Sequence, residues 1–473
     1  MLKIIATISA IQGAVIILNL LRAKIVAVLL GPAGVGIFSV VDQAIQLLIH
    51  ISTFSLPFVA AKFLARAHSR GFEAFRKSYG SFLRLLVGVT AIGTAIGVSI
   101  VLWRPELLGS ELFAYRAFLL PALLNVPIMA LHGFFSSVLA AAQKAKASAL
   151  MAFVVAFFLM VAAYAGISLG GMQGFYWSSL LANLSVFIGI AIYLKKSIGL
   201  PILMESHGVR RELLQNPDIV TFSLILYGAS FASPFSHFVA RYAVLTGFGE
   251  AEAGLLQAAF SLSSSLSLLL GSASNLYLAP FVNREIPSEE KLRVVLEFQG
   301  KLMVALGILA MPMVLFPHWL LVLFFSSSFV AVSPAVFIFV IAQFLLSLGW
   351  VYQALIIGFD DLKVYAVILA LGYLVFGMLS WMLAPHYSIF GVAIGFLSSN
   401  AIIFLLTWVR LSRAHGLKSP VKLNFLLSYE LLALLLASLF FNHYDPGQPW
   451  VIFGKCGVYL LFVASLLTFL KRK

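Results

Sequence analysis

Long apolar runs of about 20 residues alternate with short polar segments along the whole chain. A helix needs about 20 predominantly apolar residues to cross the hydrocarbon core of a bilayer. The pattern therefore predicts an all-α, polytopic membrane protein. Fourteen spans are predicted, at residues 4–29, 35–60, 80–103, 113–139, 148–166, 174–194, 218–246, 252–279, 300–325, 333–358, 363–384, 389–410, 424–442 and 450–470.

Positive charge is distributed unevenly between alternate loops. Most of the 31 Lys and Arg residues lie in the even-numbered loops and at the two ends of the chain. The odd-numbered loops hold only Arg104 and Arg116. Because cytoplasmic loops are enriched in Lys and Arg, both termini are predicted to be cytoplasmic.

The amino-acid composition also indicates a membrane protein, and it argues against several classes of function. Hydrophobic residues make up 62% of the chain and charged residues 10%, against about 45–50% and 25% in soluble domains. The net charge of +14 lies in clusters between spans, so we expect no nucleic-acid partner. The single cysteine, Cys456, excludes an internal disulfide and a multi-cysteine metal site. No phosphate loop, GxSxG, HExxH or CxxC motif occurs, so we expect no cofactor, no metal and no enzymatic activity.

Two segments six spans apart resemble each other. LLGPAGVGIFSVVDQA (29–44) joins spans one and two, and LTGFGEAEAGLLQAAFS (245–261) joins spans seven and eight. Six spans between copies predict a parallel pseudo-repeat, with its axis along the membrane normal. The predicted domains are a six-helix lobe (1–197), a cytoplasmic connector (198–217), a second six-helix lobe (218–413), and an additional helix pair with a basic tail (424–473).

Charged residues fall inside the spans at several positions. Arg22 and Lys24 precede the first turn by about ten residues, and Asp42 follows it by about ten. In an antiparallel helix pair these positions have similar depth. A charge at that depth costs at least about 2.5–3.5 kcal/mol, so we expect the three groups to face an aqueous cleft. The alternative is a purely structural ion pair.

A second polar group is predicted on spans seven and eight. His237 and Arg241 are four residues apart and therefore share a helix face, and Gln257 and Ser261 lie on span eight. The alternative for the serines is close helix packing. Glu430 and Lys455 add an acid and a cation to the last two spans as candidates for coupling or an ion pair. Cations outnumber acids within the spans, which favours an anionic ligand such as a phosphate.

The opening hairpin, with Arg22 and Lys24 before LLGPAGVGIFSVVDQ, resembles the Wzx-type flippases of lipid-linked oligosaccharides. These belong to the multidrug/oligosaccharidyl-lipid/polysaccharide exporter superfamily. The segment EAGLLQAAFSLSSSLSLLLGSASNLYLAPFV, starting at Glu252, is similar to span eight of the same family. The resemblance implies two lobes, alternating access and a basic central cavity, with Arg22, Lys24 and Arg241 as cavity cations. Fourteen spans instead of the usual twelve, and Asp42 beside the cations, depart from the family; the extra pair is similar to peptidoglycan-precursor flippases.

The resemblance implies a function in assembling surface polysaccharide of the O-antigen or exopolysaccharide type. The chain would flip a polyprenyl-diphosphate-linked oligosaccharide from the cytoplasmic to the outer leaflet of a bacterial inner membrane. Membrane lipids, a glycan polymerase and a chain-length regulator are the implied partners. The alternatives are a cation-coupled multidrug exporter of the same superfamily and a membrane glycan polymerase or ligase.

Overall fold

The computed structural model describes residues 2–104, 114–200, 217–273, 278–282, 287–418, 420–441, 444 and 448–471. Throughout these residues the regular secondary structure is helical and contains no strand. The predicted all-α fold class is therefore confirmed. Residues 201–216 of the predicted connector lie outside the described residues.

The chain forms two compact units, Met1–Phe238 and Val239–Lys473. The boundary between them falls within a helix. In the first unit α5 packs along α1 and α4, and α4 also packs on α2 and α3. The predicted domain bounds stay a prediction. The helices that begin in this unit are α1 (Leu2–Thr53), α2 (Leu56–Ser69), α3 (Phe72–Trp103), α4 (Arg116–Ala141), α5 (Ala145–Ile198) and α6 (Pro217–Phe248).

The second unit contains the end of α6 and the remaining helices. They are α7 (Glu250–Ala273), α8 (Ala279–Val282), α9 (Ser288–Leu315), α10 (Pro317–Phe324), a 3₁₀ helix (Ser327–Val332), α11 (Ser333–Gly358), α12 (Leu362–His415), α13 (Val421–Phe441) and α14 (Pro449–Lys471). Helix α11 packs against α12, α7 and α9, and the last two helices, α13 and α14, both pack on α9.

Three helices are about twice the usual length because each is two helices joined across a break. The breaks lie at Gly31 in α1, at Gly170–Gly171 in α5 and at Ser388 in α12. Gly31 has φ of 67° and Gly171 has φ of 56°, and glycine adopts this left-handed region without a steric penalty. Each break lies between two predicted spans, so these turns occur where the sequence places them.

Nine helices of the described residues are long and apolar enough to cross a membrane. Three of them are the broken helices, with 44, 53 and 54 residues, and each is long enough for two crossings at about 20 residues per crossing. The chain is therefore a multi-pass membrane protein. The total of fourteen spans and the cytoplasmic position of both termini stay predictions.

Two predicted spans contain breaks that the hydrophobic pattern does not show. The span predicted at 35–60 ends at Thr53, because Phe54 and Ser55 both have left-handed backbone conformations before α2 begins. The span predicted at 300–325 is divided at Phe316, before the proline that opens α10. Proline lacks the N–H that a continuous helix would use there. Apolar side chains on both sides of each break hide it from a hydropathy pattern.

The first part of α6 is attached to α1 within the first unit. Gln43 Nε2 donates to the Pro234 carbonyl at 3.3 Å, and the hydroxyls of Ser55 and Ser230 lie 2.7 Å apart. A proline in a helix interior removes a backbone hydrogen bond. Side-chain hydrogen bonds from Gln43 of α1 and from Ser55, which precedes α2, thus reach α6 near Pro234.

Candidate functional site

A small cavity with polar and apolar lining residues lies in the first unit, and two predicted site residues line it. Arg22 and Asp42 both contribute to its wall. Its volume is about 70 Å³, which is enough for a few water molecules, since one needs roughly 10–15 Å³. The lining residues are Arg22, Phe38, Asp42, Ile45, Ala122, Asn125, Met129, Leu159, Phe175, Tyr176, Ser179 and Asn183.

The break in α1 brings Arg22 and Asp42 together. The two residues lie at similar distances before and after Gly31, so the antiparallel halves of the helix place them at similar depth. The Asp42 carboxylate interacts electrostatically with the Arg22 guanidinium. Both side chains thus line the same cavity, and their predicted pairing stays a prediction.

Lys24 does not line this cavity. It is two positions after Arg22, and residues at that spacing lie about 200° apart around a helix. Lys24 is half-buried and has an interaction partner of its own. The geometry of α1 therefore separates two cations that the sequence groups together.

The cavity also contains polar residues that the sequence analysis missed. Asn183 Nδ2 donates to Asn125 Oδ1 at 3.0 Å, and Asn125 Nδ2 donates to the Pro121 carbonyl at 3.4 Å. Both asparagines are 5% exposed. Each is a single amide in an apolar span, and a buried amide needs a partner. That requirement was the available signal, although the sequence does not show which two amides meet.

In the second unit, Arg241 is held by a neutral amide. Its Nε and Nη2 donate to Gln257 Oε1 at 3.1 and 2.8 Å, and Gln257 Nε2 donates to Ser261 Oγ at 3.0 Å. The guanidinium carbon lies 4.8 Å from the ring centroid of Phe260, within cation–π range. Three of the predicted residues therefore form one chain of hydrogen bonds across α6 and α7.

The guanidinium of Arg241 is oriented and mostly buried, with Arg241 7% exposed. Arginine has five N–H donors, and Gln257 accepts two of them along one edge of the group. Gln257 fixes the plane of the guanidinium without cancelling its charge. Such a fixed fork suits a phosphate or carboxylate ligand.

His237 lies one helical turn before Arg241 on α6 and is half-buried. It belongs to the first unit, whereas Arg241 belongs to the second. His237 also has an interaction partner. Among the described residues, no group of three or more His, Cys, Asp or Glu side chains is arranged to hold a metal ion.

Glu430 and Lys455 occupy separate environments in the second unit. Glu430 is fully buried near the middle of α13, against α9. The Lys455 ammonium lies 5.8 Å from the ring centroids of both Phe316 and Phe441. They form no ion pair with each other. The structure therefore presents a buried acid and a ring-bound cation at two sites.

Comparisons with known proteins identify a fold. No family model matches the sequence, and no curated protein matches it. Among solved structures, the lipid II flippase MurJ in an inward closed conformation has a TM-score of 0.72 at 13% identity, over 99% of this chain and 98% of that chain.

Two further solved structures have the same architecture. An inward-facing multidrug resistance MATE family transporter of the MOP superfamily has a TM-score of 0.67 at 16% identity, over 87% of this chain and 100% of that chain. A MOP superfamily transporter from Pyrococcus furiosus, described as having a binding pocket of reverse polarity, has a TM-score of 0.61 at 16% identity, over 87% of this chain and 95% of that chain. The chain therefore has the fold of MOP superfamily transporters.

Proposed function

We propose that this chain is a flippase that moves a polyprenyl-diphosphate-linked oligosaccharide from the cytoplasmic to the outer leaflet. The observation that carries this proposal is an oriented, buried arginine, Arg241, within the fold of known transporters. Burial of a charged group is costly, so a functional role accounts for its retention. A guanidinium has five N–H donors, more than the two that Gln257 accepts, and such charged donors suit the phosphoryl oxygens of a diphosphate.

The other predicted site residues have related roles in this proposal. In the first unit, Arg22 and Lys24 are two separate candidate cations for an anionic group, and His237 is a candidate hydrogen-bonding group. In the second unit, Gln257 and Ser261 offer hydrogen bonds beside Arg241. Asp42 adjusts the charge near Arg22, with which it interacts electrostatically. The chain itself needs no cofactor and catalyses no reaction in this proposal. It acts in a bacterial inner membrane beside a glycan polymerase and a chain-length regulator.

The comparisons support a lipid-linked substrate. The MurJ structure, described as a lipid II flippase, is matched over 99% of this chain, whereas the MATE structure is matched over 87%. A transporter with a binding pocket of reverse polarity also has this fold. The fold is thus compatible with binding sites of different charge, and the basic residues of this chain favour an anionic headgroup.

The sharpest test adds a negative charge next to Arg241 with a side chain of nearly the same shape as Gln257. Gln257→Glu retains the oxygen that accepts from Arg241 and adds a negative charge beside the guanidinium. Charge-assisted hydrogen bonds contribute about 1.5–3 kcal/mol, so we expect affinity for a polyprenyl diphosphate to fall about 10-fold or more. Binding would be measured with the full-length chain in lipid nanodiscs.

Two further variants complete this experiment. Arg241→Gln is expected to lose a similar amount of affinity. Arg76→Gln is the matched control, because Arg76 is an exposed arginine 3.8 Å from Glu73, and its affinity should stay within about twofold since surface ion pairs contribute little. Unchanged affinity in Gln257→Glu would exclude a diphosphate role for Arg241.

A multidrug exporter is the second candidate, favoured by the MATE match over 100% of that structure. Such an exporter binds cationic drugs, for which acids such as Asp42 would be the ligands. In proteoliposomes, substrate-dependent movement of a cationic dye, lost in Asp42→Asn and retained in Gln257→Glu, would support the exporter. Headgroup-dependent flipping of a fluorescent polyprenyl diphosphate, lost in Gln257→Glu, would support the flippase.

A further inference from the structure

The carboxyl group of Glu430 occupies a space that a glycine provides. A Cβ atom added at Gly307 of α9 would lie 3.1 Å from Glu430 Oε1 and 3.2 Å from its carboxyl carbon. Seven residues, or about two helical turns, earlier, a Cβ at Gly300 would lie 3.5 Å from Leu423 of α13. Positions 300 and 307 therefore face positions 423 and 430, so α9 and α13 run parallel in contact. Gly307 leaves the room that the carboxyl group fills.

This carboxyl group has no hydrogen-bond partner among the described residues. Glu430 is 0% exposed, and neither Oε1 nor Oε2 has a donor or acceptor within bonding distance. It forms no ion pair with any described cation. A buried acid of this kind is unusual, because the large majority of buried side-chain polar atoms in proteins are hydrogen-bonded.

The charged and titratable groups of the helices packed on α13 are placed elsewhere. On α9, Lys301 pairs with Glu297 at 3.0 Å, and Lys291 donates to the Gly358 carbonyl at 3.0 Å. Both lie before Gly307 in the chain, in the first half of α9. Glu289, Glu290 and Arg293 are exposed in the first turns of α9, far from Gly307. On α11, Tyr352 packs on the ring of Phe404.

Further such groups lie on α13 and α14. The Tyr429 hydroxyl, next in sequence to Glu430, lies 2.8 Å from Ser465 Oγ of α14. Lys455 of α14 lies over the rings of Phe316 and Phe441, at the ends of α9 and α13. Phe441 is eleven residues from Glu430, or about 16 Å along a helix. The ammonium of Lys455 therefore does not neutralise the acid.

An unpaired carboxylate at this position would be strongly unfavourable. Transfer of an isolated ion into a low-dielectric interior costs so much that the group binds or releases a proton instead. A protonated carboxylic acid avoids that cost and fits the space beside Gly307. The ligand that the geometry accommodates is therefore a proton.

We infer that Glu430 is a proton-binding site that holds α13 against α9, and that loss of this proton releases the contact. An ionised carboxylate has to reach water or a cation, and it can do so only if α13 moves from Gly307. The inference goes beyond the proposed function and does not rest on it. The occupancy of the site does not depend on the transported substrate.

The protonation state is measured by infrared difference spectroscopy on the full-length chain in nanodiscs at neutral pH. We expect one carbonyl stretch of a buried carboxylic acid, which disappears in Glu430→Gln and shifts in Glu430→Asp. Glu297→Gln is the matched control, because Glu297 is an exposed acid on α9, and it should leave the band in place. Absence of the band from the unsubstituted protein would overturn the inference.

The release of α13 is measured by hydrogen–deuterium exchange of its backbone amides at rising pH. At each pH the unsubstituted protein is compared with Glu430→Gln, so that the intrinsic pH dependence of exchange cancels. We expect exchange in α13 to become several-fold faster in the unsubstituted protein at alkaline pH, and equal exchange would overturn the release. Affinity for polyprenyl diphosphate in the Gln257→Glu experiment tests the proposed function separately, because neither measurement here uses a substrate.

Discussion

Gly307→Ala is expected to destabilise the second unit by placing a methyl group against α13 and α14. The added Cβ would lie 3.1 Å from Glu430 Oε1 and 3.1 Å from Leu466 Cδ1. Ordinary van der Waals contact begins near 3.4 Å, so both neighbours have to move by a few tenths of an ångström. These neighbours sit on two different helices, and both are fully buried. The methyl group therefore cannot be accommodated by one exposed side chain.

Gly300→Ala is the control, because it makes the same chemical change seven residues earlier on the same face. Its Cβ would meet Leu423 at 3.5 Å, an ordinary contact. Both variants gain the helix propensity of alanine, about 1 kcal/mol over glycine, so this gain cancels between them. Overpacking typically costs about 1–3 kcal/mol, and we expect Gly307→Ala to be less stable than Gly300→Ala by that amount.

The difference can be measured as the free energy of unfolding in mixed detergent micelles titrated with a denaturing detergent. The double variant Gly307→Ala/Glu430→Ala removes the carboxyl group and should recover part of the loss. Equal stability of Gly307→Ala and Gly300→Ala would refute the packing of Glu430 against Gly307. It would also remove the geometric basis for a proton site there.

Two further predictions concern polar groups in the two units. The pKa of Asp361 is lowered chiefly by its hydrogen bond with His415 at 2.9 Å, and also by Arg410. Its stabilising contribution is therefore present above the unfolded pKa of about 3.9 and lost as pH falls through the folded pKa; stability curves of wild type and Asp361→Asn should differ at neutral pH and converge in acid. Asn183→Leu leaves the buried amide of Asn125 without its donor and should cost about 1–3 kcal/mol of unfolding free energy, whereas the double leucine variant should recover part of it. Parallel Asp361 curves, or an unchanged Asn183→Leu, would contradict these accounts.

The hydrophobic pattern predicts the helical hairpins better than it predicts the ends of the helices. Gly31 and Gly170–Gly171 are turns that the sequence shows, because glycines interrupt the apolar runs there. The break at Phe54–Ser55 is not visible, since its left-handed conformations occur at residues that rarely adopt them. The position of such a break depends on contacts with distant parts of the chain. One of these residues, Ser55, bonds to Ser230 of α6, a contact 175 residues away in the chain.

The charged site residues could be listed from the sequence, but their grouping could not. Apolar spans make any charge conspicuous, so Arg22, Asp42 and Arg241 stand out. Their partners depend on helix rotation, which hydropathy does not specify. The separation of Arg22 from Lys24 follows from helical geometry alone. That a neutral amide, Gln257, is a partner of Arg241 required the fold.

The packing of α13 on α9 makes the residue that fits at one position depend on the residue at a distant position in the chain. In a membrane, close helix approach relies on small residues, and the seven-residue spacing of Gly300 and Gly307 gives α9 a face that α13 can approach. The same spacing separates Leu423 from Glu430. At the first pair an apolar side chain meets the glycine, and at the second pair a carboxyl group does. A residue larger than glycine at 307 and a buried acid at 430 are therefore mutually exclusive in this packing, although 123 residues separate them in the chain.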